Sequence, residues 1–119
     1  MADPVQTFKY GGPDAEGARV RGNGRGNSFD LVSNVNVIST VQVMQKGEGN
    51  KSHMHRDQDG YWFILGGTAR FHGVGEEILA DLNKHEGIYV PHDTRYWFES
   101  VGDEPLEILR VSRVLHDEG

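Results

Sequence analysis

Cysteine is absent from the chain. Disulfide frameworks, thiolate zinc sites and thiol nucleophiles are therefore excluded, and any chemistry must use oxygen and nitrogen groups. Long apolar runs are missing as well. The densest, Tyr61-Trp62-Phe63-Ile64-Leu65, falls far short of the ~20 residues that span a bilayer as a helix. The opening Met1-Ala2-Asp3-Pro4 lacks the basic-then-apolar pattern of a secretory leader, so a cytoplasmic protein without a membrane partner is expected. Positive charge is in short supply: twelve Lys and Arg against eighteen Asp and Glu leave a net charge of −6. That balance argues against nucleic acid as a partner, because phosphate contacts need a basic surface. Good helix-forming stretches are few, whereas glycine is abundant, at sixteen residues. Many tight turns and a helix-poor, all-β chain follow.

A chain of 119 residues is long enough for one domain with a modest core. Residues 1–27 are polar and glycine-rich, including Arg21-Gly22-Asn23-Gly24-Arg25-Gly26, and read as an N-terminal arm ahead of a β-barrel domain over residues 28–119. Arg19, Arg21 and Arg25 could form an anion site, although a solvated mobile segment is the simpler reading. Val35, Val37, Val41 and Val43 alternate with polar residues except across Ile38-Ser39-Thr40, as in a half-buried strand with a local irregularity. Further strands are expected at 61–65, 68–72, 87–91, 96–99 and 106–114, separated by turn signals at Asp59-Gly60, Gly66-Gly67 and Gly102-Asp103-Glu104-Pro105. Glu76 to Leu82 suits a short helix or a strand, and the extended form is preferred between two strands. Short strands at this spacing suit a sandwich or barrel.

His53-Met54-His55 carries the strongest chemical signal. On an extended segment, residues two apart share a face, so the two imidazoles can reach one ion or one substrate atom. The pair follows Gly47 after five residues and precedes the apolar run that ends at Gly66-Gly67. This frame resembles the first motif of the cupins: a glycine, five residues, His-x-His, three or four residues, a glutamate, six residues and a glycine. Taking Gly67 as the closing glycine aligns Ile64-Leu65, Ala69 and Phe71 with the family's aliphatic, small and aromatic positions and puts Gly60 at the glutamate. Taking Gly66 would put Asp59 there. The second cupin motif, Pro-x-Gly-x-x-His, is matched in frame by Pro91-His92-Asp93-Thr94-Arg95-Tyr96, with Asp93 at the glycine and Tyr96 at the third histidine. The resemblance covers residues 35 to 112. It implies a small single-domain cupin, a jelly-roll barrel built as a double-stranded β-helix, in which two of the four usual metal ligands are kept.

Three functions are open on this reading. The first is an enzyme for a small polar metabolite, built around a divalent metal such as Fe, Mn, Ni or Zn. His53 and His55 would be ligands, and Asp59, Gln58, Asp57 or the Tyr96 phenolate would complete the shell. The second is a metal-free isomerase, epimerase or cyclase in which His53 or His55 and Tyr96 form an acid/base pair, as in some cupin sugar epimerases and ketoisomerases. The third is a non-catalytic binding module for a small ligand. Trp62, Ile64, Trp97 and Phe98 are expected to line or floor the barrel. Tyr61, Phe63 and Leu65 then face outward, where a partner subunit in a homodimer or the N-terminal arm would cover them. His72, His85, His92 and His116 read as surface residues, with His92 close enough in sequence to Tyr96 to reach the barrel mouth.

Overall fold

The computed structural model describes residues 4–116. Among them are nine strands and no helix: β1 (Arg19–Val20), β2 (Asn27–Ser33), β3 (Val37–Met44), β4 (Gln58–Gly66), β5 (Ala69–His72), β6 (Ile78–Leu82), β7 (Gly87–Val90), β8 (Trp97–Ser100) and β9 (Leu106–Val114). All pairings are antiparallel. One sheet has the order β1-β2-β3-β9-β4-β7 and the other β6-β5-β8. The stretch 76–82, whose spacing also suits a helix, is extended from Ile78, and Phe71 and Ala80 face one another across the β5–β6 pair. No helix of the described residues is long and apolar enough to cross a membrane.

Alternation sorts the side chains of the larger sheet. On β4, Trp62 and Ile64 turn inward; on β9, Leu106 and Ile108; on β3, Met44. With Val90 of β7 in the same sheet, and Ala69, Phe71, Leu82, Tyr96 and Phe98 from the opposite wall, they form the main core. Ile64, Phe71 and Met44 are completely buried. Each such side chain contributes roughly 1.5–3 kcal/mol of transfer free energy. Aromatic rings interlock there, with Phe71 stacked on Phe98 at 4.8 Å and Trp62 edge-on to Phe71 at 5.7 Å. Trp97 departs from expectation. Phe98 enters the core, so its neighbour points outward, where Trp97 lies flat on His72 at 3.9 Å.

The outer face of the larger sheet is apolar too. Phe29, Val41 and Val43 form a second cluster, and the N-terminal segment covers it with Tyr10, Ala15 and Ala18, beside Leu31, Leu65 and Leu109. Tyr10 fastens this cover by donating to Glu107 Oε2 at 2.7 Å and packing edge-on against Phe29 at 5.3 Å. Of the two covers expected for this face, the chain's own arm supplies one over Leu65. Tyr61 and Tyr89, which pair across β4 and β7, stay exposed. The expected arm also contains β1, which is paired to β2 as part of the larger sheet.

The irregularity expected near Ile38-Ser39-Thr40 falls on the neighbouring strand. β3 pairs with β9 in unbroken register from Val37 to Met44, whereas β2 bulges between Asp30 and Val32. The Ser39 hydroxyl accepts the displaced Val32 amide at 3.0 Å. Val35 lies before β3 and is exposed.

Gly67 closes the turn after β4 at φ 78°, and a Cβ there would sit 2.5 Å from the Pro105 carbonyl oxygen and 2.8 Å from Leu106 Cα. Gly66 has no positive φ, and its added Cβ would meet only the carboxylate end of Glu107, at 3.2 Å. Gly67→Ala is therefore expected to lower unfolding stability by about 2 kcal/mol, because both backbone conformation and space oppose a methyl group. Gly66→Ala is expected to cost less than half of that. Paired urea melts check the order, and equal losses would contradict it.

Candidate functional site

Along each inward-facing row the chemistry changes from one end of the barrel to the other. β3 runs from Met44 in the core to Gln42 and Thr40, β9 from Leu106 and Ile108 to Arg110 and Ser112, and β4 from Ile64 and Trp62 to Gly60 and Gln58. The apolar end is packed solid. The polar end opens into a cavity of about 520 Å³, whose lining includes His53, His55, Tyr96, Trp62 and Arg110.

His53 and Tyr96 meet because the backbone joins them. The segment from Gly47 to His53 runs beside β8, with bonds from Gly47 N to Ser100 O (3.0 Å) and from Asn50 N to Phe98 O (3.0 Å). It ends in a reciprocal pair, His53 N to Tyr96 O at 3.0 Å and Tyr96 N to His53 O at 2.9 Å. The Asn50 side chain reinforces this by accepting the Phe98 amide at 2.7 Å. The rings of His53 and Tyr96 consequently lie 4.5 Å apart, those of His53 and His55 5.0 Å, and those of His55 and Tyr96 6.3 Å.

The protonation states follow from the surroundings. His53 Nδ1 lies 2.6 Å from the Lys51 carbonyl. A carbonyl only accepts, so Nδ1 carries a hydrogen and Nε2 is the ring nitrogen left to face the cavity. Burial, followed by the positive charges of Arg110 and His53, lowers the pKa of His55 from the ordinary 6.5, leaving a neutral imidazole at neutral pH. Tyr96 is 2% exposed, and burial pushes its phenol up to about 12 despite the opposing pull of Arg110. It is an acid that keeps its proton until a substrate oxygen takes it. Arg110 donates to Ser112 Oγ at 2.9 Å and to Gln58 Oε1 at 2.5 Å, and lies 6.0 Å from the centre of the Trp62 ring.

The residues offered for a metal shell fare differently. Gln58 faces inward, but its amide oxygen is engaged by Arg110. Gly60 points into the barrel, and even a Cβ there would lie 2.9 Å from Ser112 Oγ and 3.5 Å from the Trp62 ring. The space a glutamate side chain would need at position 60 is thus filled. Asp59 requires a correction. With Gly60 and Trp62 facing inward, alternation turns residue 59 to the outer face, away from both histidines. Its buried carboxylate accepts from the His92 ring (2.7 Å), the His92 amide (2.8 Å) and Arg113 (2.6 Å). Among the described residues no group of three or more His, Asp or Glu is arranged to hold a metal ion. Two imidazoles beside a guanidinium, with the nearby amide oxygen already bonded, do not fit a tightly bound divalent cation.

His92 does not reach the cavity. It pins the loop before Tyr96 from outside, while Asp93 N donates to His55 O at 2.7 Å. Asp93 adopts φ 63°, the left-handed conformation that explains a glycine in the corresponding motif position and that aspartate tolerates. Arg110 is a cavity residue that the sequence motifs do not point to. Its only signal is a charge that follows Leu106 and Ile108 at the same spacing of two along β9.

The model of the cupin domain matches residues 40–112. The chain belongs to the cupin family. It is 33% identical over 70 residues to mannose-1-phosphate guanylyltransferase 2 of Escherichia coli O157:H7, a match that takes in 59% of this chain and 14% of that protein. Among solved structures it resembles KdgF from Halomonas sp., with a TM-score of 0.79, 12% identity, and coverage of 97% of this chain and 98% of the other. A conserved protein with a double-stranded β-helix domain from Klebsiella pneumoniae is similar at a TM-score of 0.70 and 17% identity, covering 77% and 75% of the two chains. At these identities the structural likenesses establish the fold.

Because of the Asp59–His92 pair, stability should depend on pH in a defined direction. Hydrogen bonds from His92 and Arg113 hold the Asp59 carboxyl well below the usual carboxylate range, so its contribution is present above about pH 4 and lost as pH falls through the lowered value. The His92 imidazole is raised, chiefly by its hydrogen bond to Asp59, so its contribution is full below about pH 6.5 and fades as pH rises through the raised value. His92→Asn keeps the backbone bond and removes the charge. Its destabilisation, read from urea unfolding at pH 5, 7 and 9, is expected to be largest at pH 5 and smallest at pH 9. A loss independent of pH would mean that the ring acts by shape alone.

Proposed function

We propose that this cupin is an enzyme that moves a proton next to a carbonyl group of a small polar metabolite, as an isomerase, epimerase or cyclase, with Tyr96 as acid and His55, beside His53, as base. The observation that carries this reading is the Tyr96 phenol, protonated and without a hydrogen bond to another described residue, held in one cavity with the neutral imidazole of His55 and the ring of His53. In the proton transfer, the C–H bond beside the carbonyl breaks toward an imidazole nitrogen. The electron pair moves onto the carbonyl oxygen, which receives a hydrogen bond or the proton from Tyr96. Arg110 lies in the same cavity and favours the negative charge that develops there. In an α-hydroxy carbonyl substrate, return of the proton to the former carbonyl carbon, while the α-hydroxyl gives its proton back to Tyr96 and becomes the new carbonyl, isomerises the substrate. Return to the opposite face of the original carbon, with the oxygen's proton going back to Tyr96, epimerises it. Trp62 and Phe98 give the site an apolar wall that strengthens these interactions.

A divalent metal at His53 and His55 is the second reading, supported by the 5.0 Å separation of the two rings on one wall. The crowded glutamate position and the guanidinium of Arg110 weigh against it. A non-catalytic binding module is the third; the cavity alone would serve it.

Deuterium wash-in beside the carbonyl, followed by proton NMR across a panel of small keto and hydroxy-carbonyl compounds, tests the first reading. Tyr96→Phe is expected to cut wash-in by ~100-fold or more while leaving the melting temperature nearly unchanged. Full activity in that variant would remove the phenol from the mechanism. Elemental analysis of protein prepared without added metal separates the second reading: a stoichiometric metal that disappears in His53→Ala would put that reading first.

A further inference from the structure

The cavity contains more positive charge than the proposed proton transfer requires. Arg19, Arg21, Arg25, Lys51 and Arg110 line it, five of the chain's twelve basic residues, whereas Asp30 is the one lining residue among its eighteen acidic ones. In a protein of net charge −6 this concentrates the basic residues at one place. Arg19 has a counter-charge in Asp30, at 3.1 Å. The other three arginines are in no direct ion pair: among the described residues no carboxylate lies within 4.0 Å of Arg21, Arg25 or Arg110, and Asp30 only partly offsets the like charges around Arg21.

The arrangement is built into the backbone. Three of the arginines lie on β1, on the turn that follows it, or beside the start of β2. The turn is closed by Arg21 N to Gly26 O at 2.9 Å and Arg25 N to Gly22 O at 3.0 Å, and is tied to the barrel by Gly49 N to Gly24 O at 2.9 Å. Gln42 Nε2 donates to Arg25 O at 2.9 Å, fixing that residue to the inner face of β3. Arg25 Nε is buried and has no hydrogen-bond acceptor among the described residues. A buried guanidinium N–H without a partner is costly, so an acceptor from outside the chain is the natural completion. The like charges of Arg19, Arg25 and Arg110, after burial, lower the pKa of Arg21, which reflects how closely the cluster converges.

We propose that Arg21, Arg25 and Arg110 form an oxyanion subsite that holds a phosphate or carboxylate group of the small molecule whose reacting carbon meets Tyr96. Guanidinium forks suit both groups, because each oxyanion offers paired acceptors to planar N–H donors. The inference rests on the reading of this cavity as a small-molecule site and narrows the substrate to an anionic metabolite. It also gives the N-terminal segment a role in the site itself, since two of the three arginines come from it.

The test is anion binding by the full chain in low-chloride buffer, with inorganic phosphate and malonate as probes. Heat of binding gives the affinity, and the arginine Nε–H resonances give the location. Saturable binding of at least one probe is expected, with shifts at Arg21, Arg25 and Arg110. Arg21→Gln/Arg25→Gln should weaken it at least tenfold, while Lys84→Gln, on an exposed turn, should leave it unchanged. Preference for phosphate would assign a phosphoryl group, and preference for malonate a carboxylate. Absence of saturable binding of both probes, or binding unchanged in the double variant, overturns the proposal. So do wild-type resonance shifts confined to other arginines, a readout that stands even if the double variant fails to fold. Tyr96→Phe should still bind the anion, so failure of the proton-transfer reading and failure of this one give different results.

Discussion

Two backbone hydrogen bonds between His53 and Tyr96 hold the candidate site together. They join segments more than forty residues apart, and they do so at the last rung of a ladder that begins at Gly47 and Ser100. Side chains at the end of such a ladder inherit its rigidity: the rings need no contact of their own to stay within 4.5 Å. The rungs below are backed by Phe98, which is buried in the aromatic core. Core packing thus sets the spacing between the phenol of Tyr96 and the imidazole of His53. Substitutions among Phe71, Phe98 and Trp62 act on the site through this path although only Trp62 and Phe98 touch the cavity.

The electrostatic character of the cavity follows from a change of residue type along continuous strands. Leu106 and Ile108 give way to Arg110 and Ser112 with no break in register, and Met44 gives way to Gln42 and Thr40 on the neighbouring strand. A barrel filled by hydrocarbon at one end can place unbalanced charge at the other, because the packed half supplies the stability. The glycine at position 60 belongs to the same design. Trp62 and Ser112 occupy the volume where a longer side chain would stand, and the indole in turn lies beneath Arg110. Charge and shape together weigh against a cation and are in keeping with the proposed anion subsite.

Much of this was legible in the residues. The glycine frame around His53 and His55, the alternation of Trp62 and Ile64, and the placement of Tyr96 at a ligand position all follow from spacing, which is why the barrel and the three facing rings could be anticipated. Asp59 could not be placed so easily. Its facing depends on whether position 60 or position 59 points inward, and a period of two makes a shift of one residue decisive. Trp97 was misplaced for the same reason, sitting beside an inward-facing phenylalanine. Arg19, Arg21 and Arg25 could be offered as an anion site from their clustering, but Arg110 could not be joined to them, because their convergence depends on β1, β2, β3 and β9 lying in that order in one sheet, which no local pattern encodes.

One continuous stretch of chain seals the outer apolar face with Tyr10, Ala15 and Ala18 and then, after β1, brings Arg21 and Arg25 to the cavity on the other side of the sheet. The count of residues between the seal and the mouth is therefore as constrained as their identity. An insertion or deletion of one residue between Ala18 and Arg21 would leave composition and charge nearly intact, yet it would put the guanidinium groups out of phase with the barrel. In comparing relatives of this protein, the length of that short connection is a better guide to a shared ligand than the number of arginines within it.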